Sequence, residues 1–306
     1  MKKFIAKRLL LSLITMWIII TVTFLMMHAV PGDPFSKEGR VSPAVYESLN
    51  RKYGLDKPLN EQYITYLKNV SKGDLGDSMY SNSESVNQMI KRGAPVSALL
   101  GLEAFIIAMI LGPILGSISA LYQNKAPDYI MMIIALIGIS VPSFILATLF
   151  IKFIAQKYGY FPIGGWGTFR HTVLPALALS FMPMASSARL MRSSMLEILG
   201  QDYIKTAKSK GISRFRVIMN HAVRNAILPI VSTMGTTLAG LITGSFVIEK
   251  IFGIPGLGAF FVTSIGNRDY TLIMGTTIFY SFILIILLLL VDILYGIIDP
   301  RIDIAR

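Results

Sequence analysis

The 306-residue chain contains no cysteine. That removes any disulfide framework, any thiolate metal site and any cysteine nucleophile. Charge is scarce too, at 15% of residues against 53% hydrophobic, and the mean hydropathy is +0.60. This balance excludes a disordered chain and lies outside the usual range of soluble domains. The three histidines, His28, His171 and His221, are scattered, and neither H-E-x-x-H nor G-x-S-x-G occurs. G-x-x-x-x-G-K-[ST] is also missing, so the chain cannot cradle nucleotide phosphates by that route. The sequence reads as that of a non-enzyme, and any work it does draws on a gradient or on another subunit.

What the sequence does have is long apolar runs. Crossing a bilayer takes about 20 apolar residues in a helix. Six segments are read as spans, at 9–30, 96–122, 129–155, 172–187, 226–251 and 271–298, the fourth being the shortest. The fourth holds Pro175 and Pro183, which membrane helices tolerate because neighbours satisfy the freed carbonyls. Lys2, Lys3, Lys7 and Arg8 before the first run resemble the start of a signal peptide. The run is too long for one, and no small-x-small cleavage site precedes Pro31, so a retained anchor is expected. The expected fold class is therefore an all-α membrane protein with six transmembrane helices.

The net charge of +12 follows the same logic. Lys and Arg in short flanks stay on the cytoplasmic side of membrane helices. With the N-terminus inside, the inner flanks hold the N-terminal cluster, Lys125, Arg189, Arg192, a basic stretch at 201–229, Arg301 and Arg306. The outer loops hold only Lys157, Arg170 and Arg268, apart from a charge-balanced 31–95 segment long enough to translocate regardless. The expected topology is N-in and C-in, multi-pass in the cell membrane. Nucleic-acid binding is not needed to explain the positive charge.

The 31–95 segment begins with a Pro31-Gly32-Asp33-Pro34 turn. Ser42 before Pro43 marks a helix start and Gly54 a stop. Tyr63, Tyr66, Leu67 and Val70 recur at helical spacing, and a third short helix is expected at 85–92. The segment reads as a structural lid or as a docking surface for an external partner. The aromatic 156–171 loop suits the interfacial belt, and 259–265 is long enough only for a half-helix re-entering the outer leaflet.

Ionisable residues inside apolar runs are functional candidates by default. Glu103, well inside the second run, requires a partner or a wet cavity. Lys152, Glu249 and Asp292 lie near run ends, where snorkelling or water relieves them. Small and hydroxyl residues, among them Ser140, Ser143, Ser187, Thr236 and Thr243, either line a polar pathway or permit close helix packing. Gly112/Gly116 and Gly240/Gly244 have the G-x-x-x-G spacing that favours packing. The composition leaves both readings open.

The basic stretch at 201–229 is long for a connector between spans. Leu196, Leu199, Tyr203 and Ala207 fall on one helical stripe. Gly211 suits a left-handed helix end and Ser213 the start of a second helix at 214–225. Two short helices joined at a glycine form a wedge able to transmit a push from a cytoplasmic partner. The alternative is a basic hairpin lying on anionic lipid headgroups.

Tyr203-x-x-Thr206-Ala207-x-x-x-Gly211 followed by Asn225-Ala-x-x-Pro229 resembles the EAA-type cytoplasmic loop of ABC importer permeases, in the branch that handles peptides and nickel. Lys205-Thr206-Ala207 stands where Glu-Ala-Ala is usual, and the interval from Gly211 to Pro229 is longer than in the general loop. Lys52-Tyr-Gly-Leu-Asp-Lys-Pro58, Gly73-Asp-Leu-Gly76, Ser140-Val-Pro-Ser143, Arg192-Ser-Ser-Met195, Phe252-Gly-Ile-Pro-Gly-Leu-Gly258 and Asp299-Pro-Arg301 extend the likeness over nearly the whole chain. It is most similar to the first, B-type permease of an oligopeptide importer. The resemblance implies a type I ABC importer permease fold, a homologous second permease, two cytoplasmic ATPase subunits and an extracytoplasmic peptide-binding protein, all in a bacterial cytoplasmic membrane. It implies that this chain holds no cofactor of its own, ATP and Mg being bound by the partner ATPases. The coupling helix would run from about 197 to 211, with Glu197, Gln201, Asp202, Tyr203, Thr206, Ala207, Lys208 and Gly211 contacting an ATPase. The implied layout is 1–30 for the tip and first span, 31–95 outside, and 96–306 as a five-helix core with the coupling loop at 189–225. The expected function is oligopeptide uptake by alternating access. Dipeptide or nickel transport, a gradient-driven secondary transporter and a non-transporting scaffold are the alternatives.

Overall fold

The computed structural model describes residues 2–30, 32, 34, 35, 42–81 and 84–298. Pro31, Asp33, Asp299-Pro-Arg301 and Arg306 lie outside the described residues, as do the side chains of Lys2 and Lys3. Regular structure among the described residues is helical: α1 (Lys2–Ala29), α2 (Pro43–Tyr53), α3 (Leu59–Ser71), α4 (Val86–Leu121), α5 (Ala126–Ser140), α6 (Ser143–Phe150, continued by a π-turn Ile151–Gln156) and α7 (Phe169–Leu199). The remainder are α8 (Asp202–Ser209), α9 (Arg214–Ala226, with a π-turn inside it), α10 (Leu228–Thr243), α11 (Phe246–Phe252), α12 (Leu257–Asn267) and α13 (Tyr270–Ile298). Within α1, α4, α7 and α13, four unbroken stretches are long and apolar enough to cross a bilayer. Three pairs, α5–α6, α9–α10 and α11–α12, meet that test only when joined across a break.

Two expected spans are broken, each for a local reason. The 129–155 run turns by 109° between α5 and α6. Pro142 lacks the N–H that would continue the ladder and pushes the residue before it out of the helical region. Val141 accordingly sits at φ −93, ψ 119. The 226–251 run stops at Gly244 and Ser245, whose φ of −110 and −83 with ψ near 10 and 5 end α10 and start α11. In contrast, the short helix expected at 85–92 is the first part of α4, which continues through Pro95 without interruption. The half-helix expected at 259–265 is present and longer, as α12.

The chain divides into two compact units. The first comprises 1–97 with 255–306. In it α1 packs on α13, and Arg8 near the start of α1 pairs with Asp292 near the end of α13 at 3.0 Å. α3 lies on the last turns of α1: Tyr63 Oη meets Thr21 Oγ1 at 2.6 Å, His28 Nε2 meets Gln62 Oε1 at 2.9 Å, and Phe24 stacks on Tyr66. The tyrosine stripe thus seats α3 on the first span, as its spacing predicts. Gly54 ends α2 in the left-handed region as expected. A cavity of about 440 Å³ opens between Phe24, His28, Tyr53, Tyr66, Asp77 and Met274. Of the cations that line it, Arg51 pairs with Glu47 at 2.6 Å and Lys52 with Asp77 at 3.9 Å.

The second unit is 98–254. Here α7 is the central helix, contacted by α5, α6, α9, α10 and α11. It runs unbroken through Pro175 and Pro183 and beyond Arg189 and Arg192, well past the expected end at 187. Gly112 and Gly116 bring α4 against it: a Cβ on Gly112 would overlap Ser187, and one on Gly116 would overlap the Ala188 carbonyl and Met191. Van der Waals packing of small residues holds helices together where lipid offers no hydrophobic driving force. The core at this end joins Ala108, Met109, Ala120, Met191, Met195 and Ala226.

Candidate functional site: the α8–α9 hairpin and its seat

The 201–229 stretch folds as the expected pair of short helices, with different boundaries. α7 ends at Leu199 and Gly200, Gln201 takes an extended φ −71, ψ 150, and α8 then begins at Asp202. A continuous coupling helix over 197–211 is therefore not formed. Gly200 weakens the helix interior, and Asp202 favours a new N-terminus because its charge complements the helix dipole. Glu197 belongs to α7, while Asp202, Tyr203, Thr206, Ala207 and Lys208 belong to α8.

The end of α8 is a full Schellman cap. Gly211 adopts φ +73, its N–H donates to the Lys208 carbonyl at 3.0 Å, and the Ile212 N–H donates to the Ala207 carbonyl at 3.3 Å. Ile212 also packs on the cluster containing Ala207, the apolar contact that accompanies this cap. Nothing lies within 4 Å of a Cβ placed on Gly211, so backbone conformation alone selects glycine there.

The inner face of α8 is Ile204 and Ala207, buried against Val217 of α9, with Ile198 of α7 packed on the same cluster. The stripe expected from Leu196 to Ala207 is thus divided. Leu196 and Leu199 serve the α7 core, while Tyr203 is 44% exposed and accepts a hydrogen bond from Asn225 Nδ2 at 3.2 Å. That bond joins the two parts of the sequence motif, across 22 residues. Gln201, Asp202, Thr206 and Lys208 are exposed, Lys205 pairs with Asp202 at 2.9 Å, and the Thr206 hydroxyl donates to the Asp202 carbonyl. The hairpin therefore has an apolar side fixed to α7 and a polar side left open.

On the same helix α7, Arg192 holds a buried carboxylate that apolar periodicity gives no sign of. Asp128, at the start of α5, is 1% exposed. Arg192 of α7 donates to it in a fork, Nε to Oδ1 at 2.7 Å and Nη2 to Oδ2 at 2.8 Å. The Ser119 hydroxyl of α4 and the Asn124 N–H, the latter at 2.9 Å, complete the set. Asn124 itself sits at φ +59, in the turn between α4 and α5. Only the Asp-after-Pro start of α5 hinted at this site.

The pathway candidates are spread over several helices. Ser140 and Ser143 flank the α5–α6 break. Ser187 is buried on Gly112, and Thr236 and Thr243 on α10 bond their own helix through the Thr233 and Ala239 carbonyls. Glu103 is half-buried in α4 with its Oε2 enclosed and without a hydrogen-bond partner. Glu249, expected to be relieved at a run end, is instead fully buried and bonded by the Ser245 hydroxyl. The turn at Gly244–Ser245 folds α11 back into the unit, so Glu249 has no route to water by snorkelling.

Family comparison bears directly on this arrangement. The binding-protein-dependent transport system inner membrane component family matches residues 112–304, and the N-terminal membrane component of the same systems matches 1–100. The chain belongs to this family. It is a multi-pass inner-membrane component of an ABC transporter, with the all-α importer permease fold. It is 51% identical over 306 residues to the dipeptide transport system permease protein DppB of Bacillus subtilis, covering 100% of this chain and 99% of that one. It is 44% identical over 304 residues to the oligopeptide transport system permease protein OppB of Haemophilus influenzae, covering 99% of each. Among solved structures, an inward-facing MetNI methionine ABC transporter matches with a TM-score of 0.53 at 17% identity, over 72% of this chain and 97% of that one. That likeness speaks for the fold alone.

Proposed function

We propose that this permease moves short peptides by alternating access, crossing the membrane six times through α1, α4, α5–α6, α7, α10 and α13, with both termini in the cytoplasm. The Arg8–Asp292 pair, which holds the start of α1 beside the end of α13, supports this topology. In it α11–α12 is an outer re-entrant element, and α2 and α3 form part of the outer surface that receives a peptide-binding protein.

The observation that carries the coupling role is the α8–α9 hairpin, capped at Gly211 and open on its polar side. Gln201, Asp202, Tyr203, Thr206 and Lys208 present that side to a cytoplasmic ATPase, with Glu197 at the adjoining end of α7 and Ala207 seating the hairpin. Two ATPases, acting on this chain and on a homologous second permease, supply the ATP and Mg chemistry. Closure of the ATPases displaces the hairpin, and α7 carries the displacement into the membrane. Glu103, Ser140, Ser143, Ser187, Thr236 and Thr243 are proposed to face the pathway.

Oligopeptides are the proposed substrates. The 51% identity to a dipeptide permease favours a second reading in which dipeptides are carried. Uptake of labelled di-, tri- and pentapeptides into vesicles holding the assembled transporter separates the two. The coupling role is tested by Gly211→Val, which forces a β-branched residue into the left-handed region, against Gly211→Asn, which tolerates it. We expect the valine variant to hydrolyse ATP with little uptake and the asparagine variant to transport normally. Normal uptake by Gly211→Val would sink the coupling role.

A further inference from the structure

We propose that Asp128 and Arg192 form a positioning latch, making the inner ends of α4, α5 and α7 move as one body with the α8–α9 hairpin. This rests on the reading of that hairpin as the ATPase-coupling element. Buried ion pairs are weak evidence for stability, since apolar residues of similar volume usually serve as well. What such a pair supplies is geometry, and here the geometry is fully specified.

Four donors converge on one carboxylate, and they come from three places. Arg192 represents α7, Ser119 represents α4, and the Asn124 N–H represents the turn joining α4 to α5. A planar guanidinium gripping both carboxylate oxygens fixes orientation as well as distance, which a single point charge does not. At the α4–α7 seam the helices are in direct contact, because a Cβ on Gly112 or Gly116 would overlap α7. Close-packed contacts of this kind transmit displacement instead of absorbing it.

The hairpin meets α7 at two places: α9 enters the core of Met191 and Met195 through Ala222 and Ala226, and α8 reaches α7 through Ile198. Ile198 packs both on the Ile204–Ala207–Val217 cluster of the hairpin and on the core containing Met191 and Met195. Arg192 lies six residues earlier on the same helix, about 9 Å along the axis at 1.5 Å per residue. A push on α8 therefore reaches α7 at Ile198 and passes to α5 and α4 at Arg192. Arg192 touches no transported molecule in this scheme; it acts through the helices it holds.

The test uses the complete transporter reconstituted in vesicles with its ATPases and binding protein. Arg192→Lys keeps the charge and removes the fork. We expect peptide moved per ATP hydrolysed to fall about five-fold or more, the lower range of allosteric coupling, with basal hydrolysis retained. A purely structural role would reduce the amount of folded complex and leave that ratio unchanged, which overturns the proposal. Because this chain has no cysteine, the exposed Lys125 and Ser209 can be replaced by a cysteine pair carrying two spin labels, in a complex whose other subunits are made cysteine-free. The latch requires their separation to be the same with and without ATP, and a nucleotide-dependent change overturns it even if Arg192→Lys does not fold. Gly211→Val separates the two readings. If it uncouples transport while Arg192→Lys does not, the latch alone falls; if only Arg192→Lys uncouples, the hairpin assignment falls.

Discussion

Ser78 donates a 2.5 Å hydrogen bond to Asp269 across 191 residues of sequence. Asp269 also accepts from the Met79 N–H at 3.1 Å and caps α13 through the Leu272 N–H at 3.1 Å. One buried carboxylate thus ties the loop before α4 to the first turn of the last helix. Asp269→Ala removes the cap and leaves the Ser78 hydroxyl proton and the Met79 N–H without their acceptor, a loss of about 1–3 kcal/mol. We expect a lower Tm and faster proteolytic cleavage between Gly73 and Glu84. An unchanged cleavage rate would show that the loop is held by other means.

Tyr53 at the end of α2 donates to the Ser78 carbonyl at 2.8 Å. Burial, reinforced by the nearby charges of Asp77 and Asp269, pushes its hydroxyl up to about 12 from 10.0. The folded state therefore holds this proton more tightly than the unfolded one. Its contribution is complete below pH 10 and is lost as pH rises toward 12. The difference in phenolate absorbance between the wild type and Tyr53→Phe should titrate near 12, and Asp77→Asn should move it down. A midpoint at 10 in the native protein would contradict the buried placement.

Gly116 has no room for a side chain on its α7 side. Gly116→Val drives two methyl groups into the Ala188 carbonyl and Met191, and overpacking of this kind typically destabilises by about 1–3 kcal/mol. Thermal unfolding in detergent should show a lower Tm. Gly240→Val, on a glycine with open space around it, should shift Tm far less. Equal shifts at the two positions would argue against a close α4–α7 seam.

The enclosed, unpartnered oxygen of Glu103 is a strained feature in an apolar helix. Glu103→Gln removes the charge while keeping shape, so Tm should rise or stay level. If the residue faces the pathway, peptide uptake should fall at the same time. Unchanged uptake and unchanged Tm together would remove it from the pathway.

Local signals foretell the structure where a single residue's backbone preference decides the outcome. Gly54 and Gly211 end their helices in the left-handed region, and the Tyr63/Tyr66 stripe shows which face of α3 packs. The same local logic erred where two signals competed. The apolar run at 129–155 masked the break that Pro142 imposes, and Gly200 divided an apparently continuous stripe from Leu196 to Ala207. Glu249 is buried although it lies near a run end, because that distance says nothing about which way the chain folds after Ser245.

Long-range polar pairing lay beyond the sequence altogether. In the sequence Arg192 is one more inner-flank cation and Asp128 an ordinary acid after a proline, because 64 residues separate them and nothing local specifies their meeting. Composition and the spacing of apolar runs by themselves determined a basic, multi-pass helical membrane chain, since hydrophobic length and flanking charge act residue by residue. Only the tertiary structure decided which helices α7 touches, where α8 begins, and that Asp128 and Asp269 serve as buried junctions. Those outcomes depend on helix rotation and register, which place a side chain on a neighbour's surface and have no signature along the chain.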